Sequence, residues 1–162
     1  MREIDRTERI EAVYRQHGAR LEEVPGDWSA PPWTQGELEH SVSAQHRELV
    51  RWAEAGGIAV GAFIDNRLVG IGVLVPHIRP RVAQLAYVQV SNGYRGVGIG
   101  ASISDQLEEA AVGAGCTEMV VSATPSVKTV GFYMKRGFEP MTYPFPELFE
   151  LEPDDIHLWK QL

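Results

Sequence analysis

Cysteine is almost absent: Cys116 is the only one in 162 residues, so the chain cannot close an internal disulfide. The opening stretch MREIDRTER carries no apolar signal core, and together these features predict a protein of a reducing cytoplasm. Long apolar runs are missing too. The most hydrophobic region, from Ile58 to Val75, is broken by Asp65-Asn66-Arg67 and by glycines, too short for a membrane span. Positive charge is scarce, with 15 basic against 22 acidic residues and a net charge of -7. That argues against a nucleic-acid surface and, beyond plain solubility, suits a cationic small molecule as partner. No His, Cys and Asp cluster has metal-ligand spacing, so no metal is expected, and there are no internal repeats or low-complexity segments. What is present is 44% hydrophobic residues, enough for one globular domain spanning 1–162 with a sizeable core.

The most informative stretch is Val88 to Leu107, VQVSNGYRGVGIGASISDQL. An alternating apolar run (Leu85, Tyr87, Val88, Val90) reaches a turn at Ser91-Asn92-Gly93, and an amphipathic run starts at Ile99 and recurs at Ile103, Leu107, Ala110, Ala111 and Ala114. This pattern predicts strand, tight loop, helix. Between them, Arg95, Gly96, Val97, Gly98, Ile99, Gly100 and Ala101 form a glycine-rich loop that a ligand can approach closely. The helix it opens has unpaired N–H groups and a positive dipole end, which suits a pyrophosphate held by main-chain donors, with Arg95 as a cationic fork beside it. A P-loop is excluded because Ala101-Ser102, not Lys-Ser/Thr, follows Gly100. A dinucleotide fingerprint is excluded by the G-x-G-x-G spacing and by Ser122-Ala123-Thr124, where a ribose-binding acid would stand.

What remains, R-x-x-G-x-G-A over Arg95 to Ala101, resembles the pyrophosphate loop of the GCN5-related N-acetyltransferases (GNAT superfamily). About thirty residues on, Thr124 to Phe138 is similar to a second motif of that family, Asn-x-x-Ala-x-x-Phe-Tyr-x-x-x-Gly-Phe. Phe132, Tyr133, Gly137 and Phe138 match; Ser126 stands for the Asn and Thr129 for the Ala. The resemblance implies acetyl-CoA as cosubstrate and an α/β fold with a mixed, mostly antiparallel central sheet, helices on both faces, and strands splayed around the cofactor cleft. It implies cofactor contacts from the strand end Val88, Gln89 and Val90, from the loop, and from Ser126 and Thr129. The implied activity is transfer of an acetyl group to a primary amine of a small molecule or peptide, by direct attack in a ternary complex, in a monomer or homodimer. A non-catalytic acyl-CoA sensor or scaffold is the alternative.

The element pattern carries the same order. A helix is expected around Ile10, Val13, Tyr14 and His17 behind an Asp5/Glu8 capping box, after an edge strand at Met1 to Ile4. Arg20 to Val24 reads as a short strand, Pro25 to Trp33 as a loop, and a second helix as capped by Thr34 and Glu37 and running through Leu38, Val42 and Leu49 to Gly56-Gly57. Strands follow at Ile58–Ile64, Leu68–Val75 and Val82–Val90, with Pro76 to Pro80 as a loop. Then come the loop helix, a strand at Glu118–Ser122, a helix capped by Thr124, and strands at Phe138–Thr142 and Asp155–Gln161.

Acetyl transfer needs a neutral amine, a polarised thioester carbonyl and a proton for the leaving thiolate. The resemblance implies that strand N–H groups near Val88 point at the thioester carbonyl. Tyr133 fits the leaving group: a phenol of pKa ~10 can hydrogen-bond a thiolate whose conjugate acid lies near ~8.5. Packing beside Phe132 and Phe138 is the competing explanation of that tyrosine. No base stands on the central strand, where Gln84 and Ala86 cannot take a proton. His77 is one candidate and a solvated loop histidine is the other reading of it. His40, His46 and His157 read as structural or solvated.

Overall fold

The computed structural model describes residues 2–36 and 40–162. It is a mixed α/β structure with elements in the order β1 (Glu8–His17), β2 (Arg20–Ala30), α1 (Val42–Glu54), β3 (Ile58–Ile64), β4 (Arg67–Arg79), β5 (Val82–Val90), α2 (Ile99–Gly113), β6 (Glu118–Ala123), α3 (Val127–Met134), β7 (Glu139–Pro140), α4 (Pro146–Leu151) and β8 (Ile156–Gln161). Six strands form the central sheet in the order β3-β4-β5-β6-β8-β7. All its neighbours are antiparallel except β5 and β6. No helix among the described residues is long and apolar enough to cross a membrane.

The β3–β4 hairpin turns at Asp65-Asn66, both with positive φ (48° and 60°). Asx residues tolerate that conformation, and it matches the twist of the strands. On β4, Gly70 and Gly72 open a groove into which α2 settles. A Cβ at Gly72 would run into Ile103 and, at 2.7 Å, Leu107, both essentially without exposure in the core. Gly72→Ala is therefore expected to destabilise the fold by about 1–3 kcal/mol through overpacking, read as a fall in the midpoint of thermal or urea unfolding. This close contact fixes where the first turn of α2 lies beside β5.

The first thirty residues depart from the sequence-based expectation. The stretch expected as a helix is strand β1, paired with β2 in a separate two-stranded sheet. The pairing shifts register between Ile10 and Ala12, and the extra residue lies on β2 (Ile10↔Trp28, Ala12↔Pro25). Strand β1 keeps its own alternation, with Ile10, Ala12, Tyr14 and Gln16 more buried than Glu11, Arg15 and His17, and the helix-like spacing arises because the intervening Val13 is apolar as well. Asp5 accepts from Thr7 N–H and hydroxyl (2.9 and 2.7 Å) as a local turn, not a helix cap. Gly18 (φ 62°) sits in the hairpin turn, residues 2–4 are turn and coil, and β2 runs through most of the expected Pro25 to Trp33 loop. Helix α1 is capped by Ser41, whose hydroxyl accepts from Ala44 N–H at 3.0 Å. Met1, Glu37 and Leu38 lie outside the described residues, so the proposed Glu37 cap and the Leu38 start do too.

Further along, β4 continues through Pro76 and His77 to Arg79, with irregular pairing beyond Val75, where a loop is expected. Helix α3 is capped by Ser126, not Thr124. The short helix α4 lies in the stretch between the last two expected strands, where no helix is expected.

Candidate active site

The cleft opens where β5 and β6 separate. Their parallel pairing covers Val82↔Glu118, Ala83↔Met119 and Gln84↔Val120 and goes no further. Against β4, Tyr87 faces Val73 and Leu85 faces Leu74, which leaves Ala86 as an extra residue. A bulge bends and twists its strand, so β5 turns away from β6 just beyond Gln84. Peptide groups on that edge are then left for a partner other than a strand.

A cavity of about 1100 Å³ occupies the gap. Val88, Gln89 and Val90 line it from β5, and Arg95, Gly96, Gly98, Gly100 and Ala101 from the loop and first turn of α2. Facing them are Lys128, Thr129, Phe132 and Tyr133 of α3. Trp28 to Pro31 close the side nearest the β1–β2 hairpin, and Asp154 and Asp155 lie just ahead of β8. The hairpin is held there by Tyr14 N–H donating to Pro125 O (2.8 Å) and by the Gln16 amide, which bonds Met141 O (2.8 Å) and accepts from His157 N–H (2.9 Å).

The glycine loop has the geometry of an anion cradle. Gly96 and Gly98 have φ of 79° and 93°, and a Cβ built on either meets nothing within 4 Å. Glycine is needed there for the backbone conformation, and the space beside it is open. The first intrahelical bond of α2 is Ser102 N–H to Gly98 O at 3.0 Å, so the N–H groups of Ile99, Gly100 and Ala101 precede it at the positive end of the helix. Val97 is 72% exposed and does not line the cavity, while Ile99 packs on the core.

Arg95 is engaged differently from the expected phosphate fork. Its Nε donates to Val90 O (2.9 Å), and its terminal nitrogens bond Glu8 Oε2 (2.9 Å) and Arg6 O (3.3 Å). The guanidinium thus latches the segment before β1 onto the end of β5. Ser126, 2% exposed, caps α3 by accepting from Thr129 N–H (3.1 Å) and donates to Thr129 Oγ1 (2.8 Å). Thr129 lines the cavity and Ser126 stands behind it.

Tyr133 is 5% exposed, with its ring edge-on to Phe132 (5.1 Å) and Phe138 (5.6 Å). Burial pushes its phenol well above the ordinary tyrosine value, and the Asp155 carboxylate pushes the same way. The hydroxyl stays neutral, a donor and not a phenolate. Gln84 lies in the last β5–β6 pair and Ala86 in the bulge, neither able to take a proton. His77 is not at the cleft: its Nε2 sits 3.0 Å from Ala114 O near the end of α2, and its Nδ1 3.7 Å from Cys116 Sγ. His157 is buried, with Nδ1 3.1 Å from Ser122 Oγ. His40, in contrast, lines the cavity. The acid that sequence reasoning passed over is Asp155, pushed up to about 7 by burial first and then by the Glu152 and Asp154 carboxylates. Its sequence signal is the Glu152-Pro153-Asp154-Asp155 turn, of which only Asp155 is partly buried in the fold.

The profile of the acetyltransferase (GNAT) family matches residues 24–138. Among curated proteins, no sequence relative matches the chain. Among solved structures, the fold is similar to a nourseothricin acetyltransferase (16% identity, TM-score 0.71, 98% of this chain and 88% of that one). It is similar to a putative streptothricin acetyltransferase from Bacillus anthracis in complex with acetyl coenzyme A (20% identity, TM-score 0.66, 98% and 88%). It is also similar to the PaiA N-acetyltransferase of Thermoplasma acidophilum in complex with coenzyme A (21% identity, TM-score 0.59, 76% and 72%).

Proposed function

Because the chain belongs to the GNAT acetyltransferase family, we propose that it moves an acetyl group from acetyl-CoA to a primary amine by direct attack in a ternary complex. The observation that carries this reading is the end of β5–β6 pairing at Gln84↔Val120, with the glycine loop and Tyr133 on the two sides of the gap that results. The residues present fit the cosubstrate: an open glycine cradle and free helix N–H groups for the pyrophosphate, and an unpaired strand edge for the pantetheine arm. Acetyl-CoA supplies the activated acyl group as a thioester. Peptide N–H groups of β5 near Val88 polarise its carbonyl. Tyr133 donates a hydrogen bond to the sulfur as it leaves.

The acceptor is chosen by the walls outside the glycine loop, chiefly β2 and the Asp154-Asp155 turn. The two structures that match over 98% of the chain make streptothricin-type antibiotics worth including beside simpler amines. Titration calorimetry with acetyl-CoA, paired with thiol release in the presence of butylamine, spermidine, streptothricin and a lysine peptide, tests the proposal. Binding together with turnover on at least one amine is expected. Binding with no turnover on any of them would favour the acyl-CoA sensor, and no binding would remove both readings.

A further inference from the structure

Asp154 and Asp155 occupy a position shared by no other described residue: they line both the cofactor cleft and a second cavity of about 420 Å³. The second cavity is walled by the end of β1, from Tyr14 to His17, by Met141 and Phe149, and by the start of β8. The turn that carries the two acids is fixed on both sides. Asp155 N–H bonds Glu152 O at 3.2 Å, and the next residue, Ile156, pairs with Ala123 at the end of β6, beside the splay. Of the two, Asp154 is exposed and Asp155 half-buried.

We propose that Asp155 is the general base of the reaction, taking a proton from an acceptor amine that arrives through this second cavity. The inference rests on the acetyl-transfer reading and names the residue that reading leaves open. Asp155 sits on the acceptor side, and its charge acts on Tyr133, so base and leaving-group donor share one cleft. The groups facing it are Lys128 and Tyr133 from α3 and Tyr14, Arg15 and His17 from β1, with Glu152, Asp154 and His157 on its own segment. Burial and the two neighbouring carboxylates make its charged form costly, which raises its proton affinity toward neutral pH.

The protons balance. An ammonium gives one proton to Asp155, the freed nitrogen forms a bond to the acyl carbon, and the carbon–sulfur bond breaks with its electrons going to sulfur. The departing sulfur, hydrogen-bonded by Tyr133, takes up the second proton leaving nitrogen, relayed through the phenol without a free phenolate. Asp155 returns its proton to water, so amide, thiol and one solvent proton are the products.

Two readouts test this, one free of turnover. Carbon-13 NMR of aspartate-labelled protein, with Asp155→Asn as the assignment control, is expected to show the Asp155 carboxyl titrating near pH 7. In the wild type that raised affinity costs stability above the folded value and nothing below the unfolded one. Asp155→Asn should therefore raise Tm at alkaline pH, with the difference vanishing below about pH 4. In turnover of butylamine, Asp155→Asn should lower kcat/KM by about 10²–10⁴-fold and flatten the rise through neutral pH. Hydrazine, a much weaker base that needs less help to lose its proton, should lose far less. Equal losses on the two amines, or a carboxyl titrating in the ordinary aspartate range, would overturn the assignment. Wild-type turnover with an unimpaired Asp155→Asn enzyme would overturn this inference alone, whereas no wild-type turnover on any amine would sink the acetyl-transfer reading and this inference with it.

Discussion

Tyr133→Phe is expected to lower kcat by about ten- to a thousandfold with little change in acetyl-CoA affinity. The substitution removes one oxygen and keeps the ring, so the edge-on contacts with Phe132 and Phe138 should survive and Tm should hardly move. Burial and Asp155 keep the phenol protonated, so in the acetyl-transfer reading Tyr133 would donate a hydrogen bond to charge developing on sulfur. An interaction made mainly in the transition state appears in kcat. The loss should shrink for acyl donors whose thiols are more acidic, because they depart without a proton. A Tyr133→Phe enzyme with wild-type turnover on its best acceptor would leave this residue a packing aromatic.

Gly100→Ala is expected to weaken acetyl-CoA binding about tenfold, about 1.4 kcal/mol, while leaving the protein as stable as before or slightly more so. A Cβ at Gly100 would meet Val90 Cγ2 at 3.5 Å and Phe132 at 3.6 Å, ordinary contacts with two residues that line the cleft. In a helix, alanine is favoured over glycine by about 1 kcal/mol. The methyl thus narrows the cleft without straining the backbone. Gly98→Val should abolish binding too, but its meaning is different. The negative φ that would make it a clean probe of the loop is not what the structure has: at +93°, valine brings about 1–3 kcal/mol of strain. Calorimetric titration beside thermal melts separates the two. Unchanged acetyl-CoA affinity in a folded Gly100→Ala or Gly98→Val protein would show that the loop does not hold the pyrophosphate.

By itself the sequence determined the central strand-loop-helix unit. Val82–Val90 and the start of α2 at Ile99 were legible to the residue, because strand alternation, a glycine run and 3.6-residue periodicity are local signals that do not need the rest of the fold. The turn at Asp65-Asn66 was legible for the same reason. Tertiary structure decided the rest. Whether Ile10 to His17 is helix or strand depended on a partner, β2, because Ile10, Val13, Tyr14 and His17 fit one helical face while Ile10, Ala12 and Tyr14 fit one face of a strand. Arg95 lines the cleft while its guanidinium bonds Glu8, 87 residues away along the chain, a pairing no local pattern encodes. The surroundings of His77 and Asp155 could not be read locally, because proximity and desolvation are properties of the folded whole. One lies near the end of α2 beside Cys116, while the other is brought by β8 to the end of β6 and partly dehydrated there. A carboxylate acquires the proton affinity of a base only when the fold takes water from it and sets other carboxylates beside it.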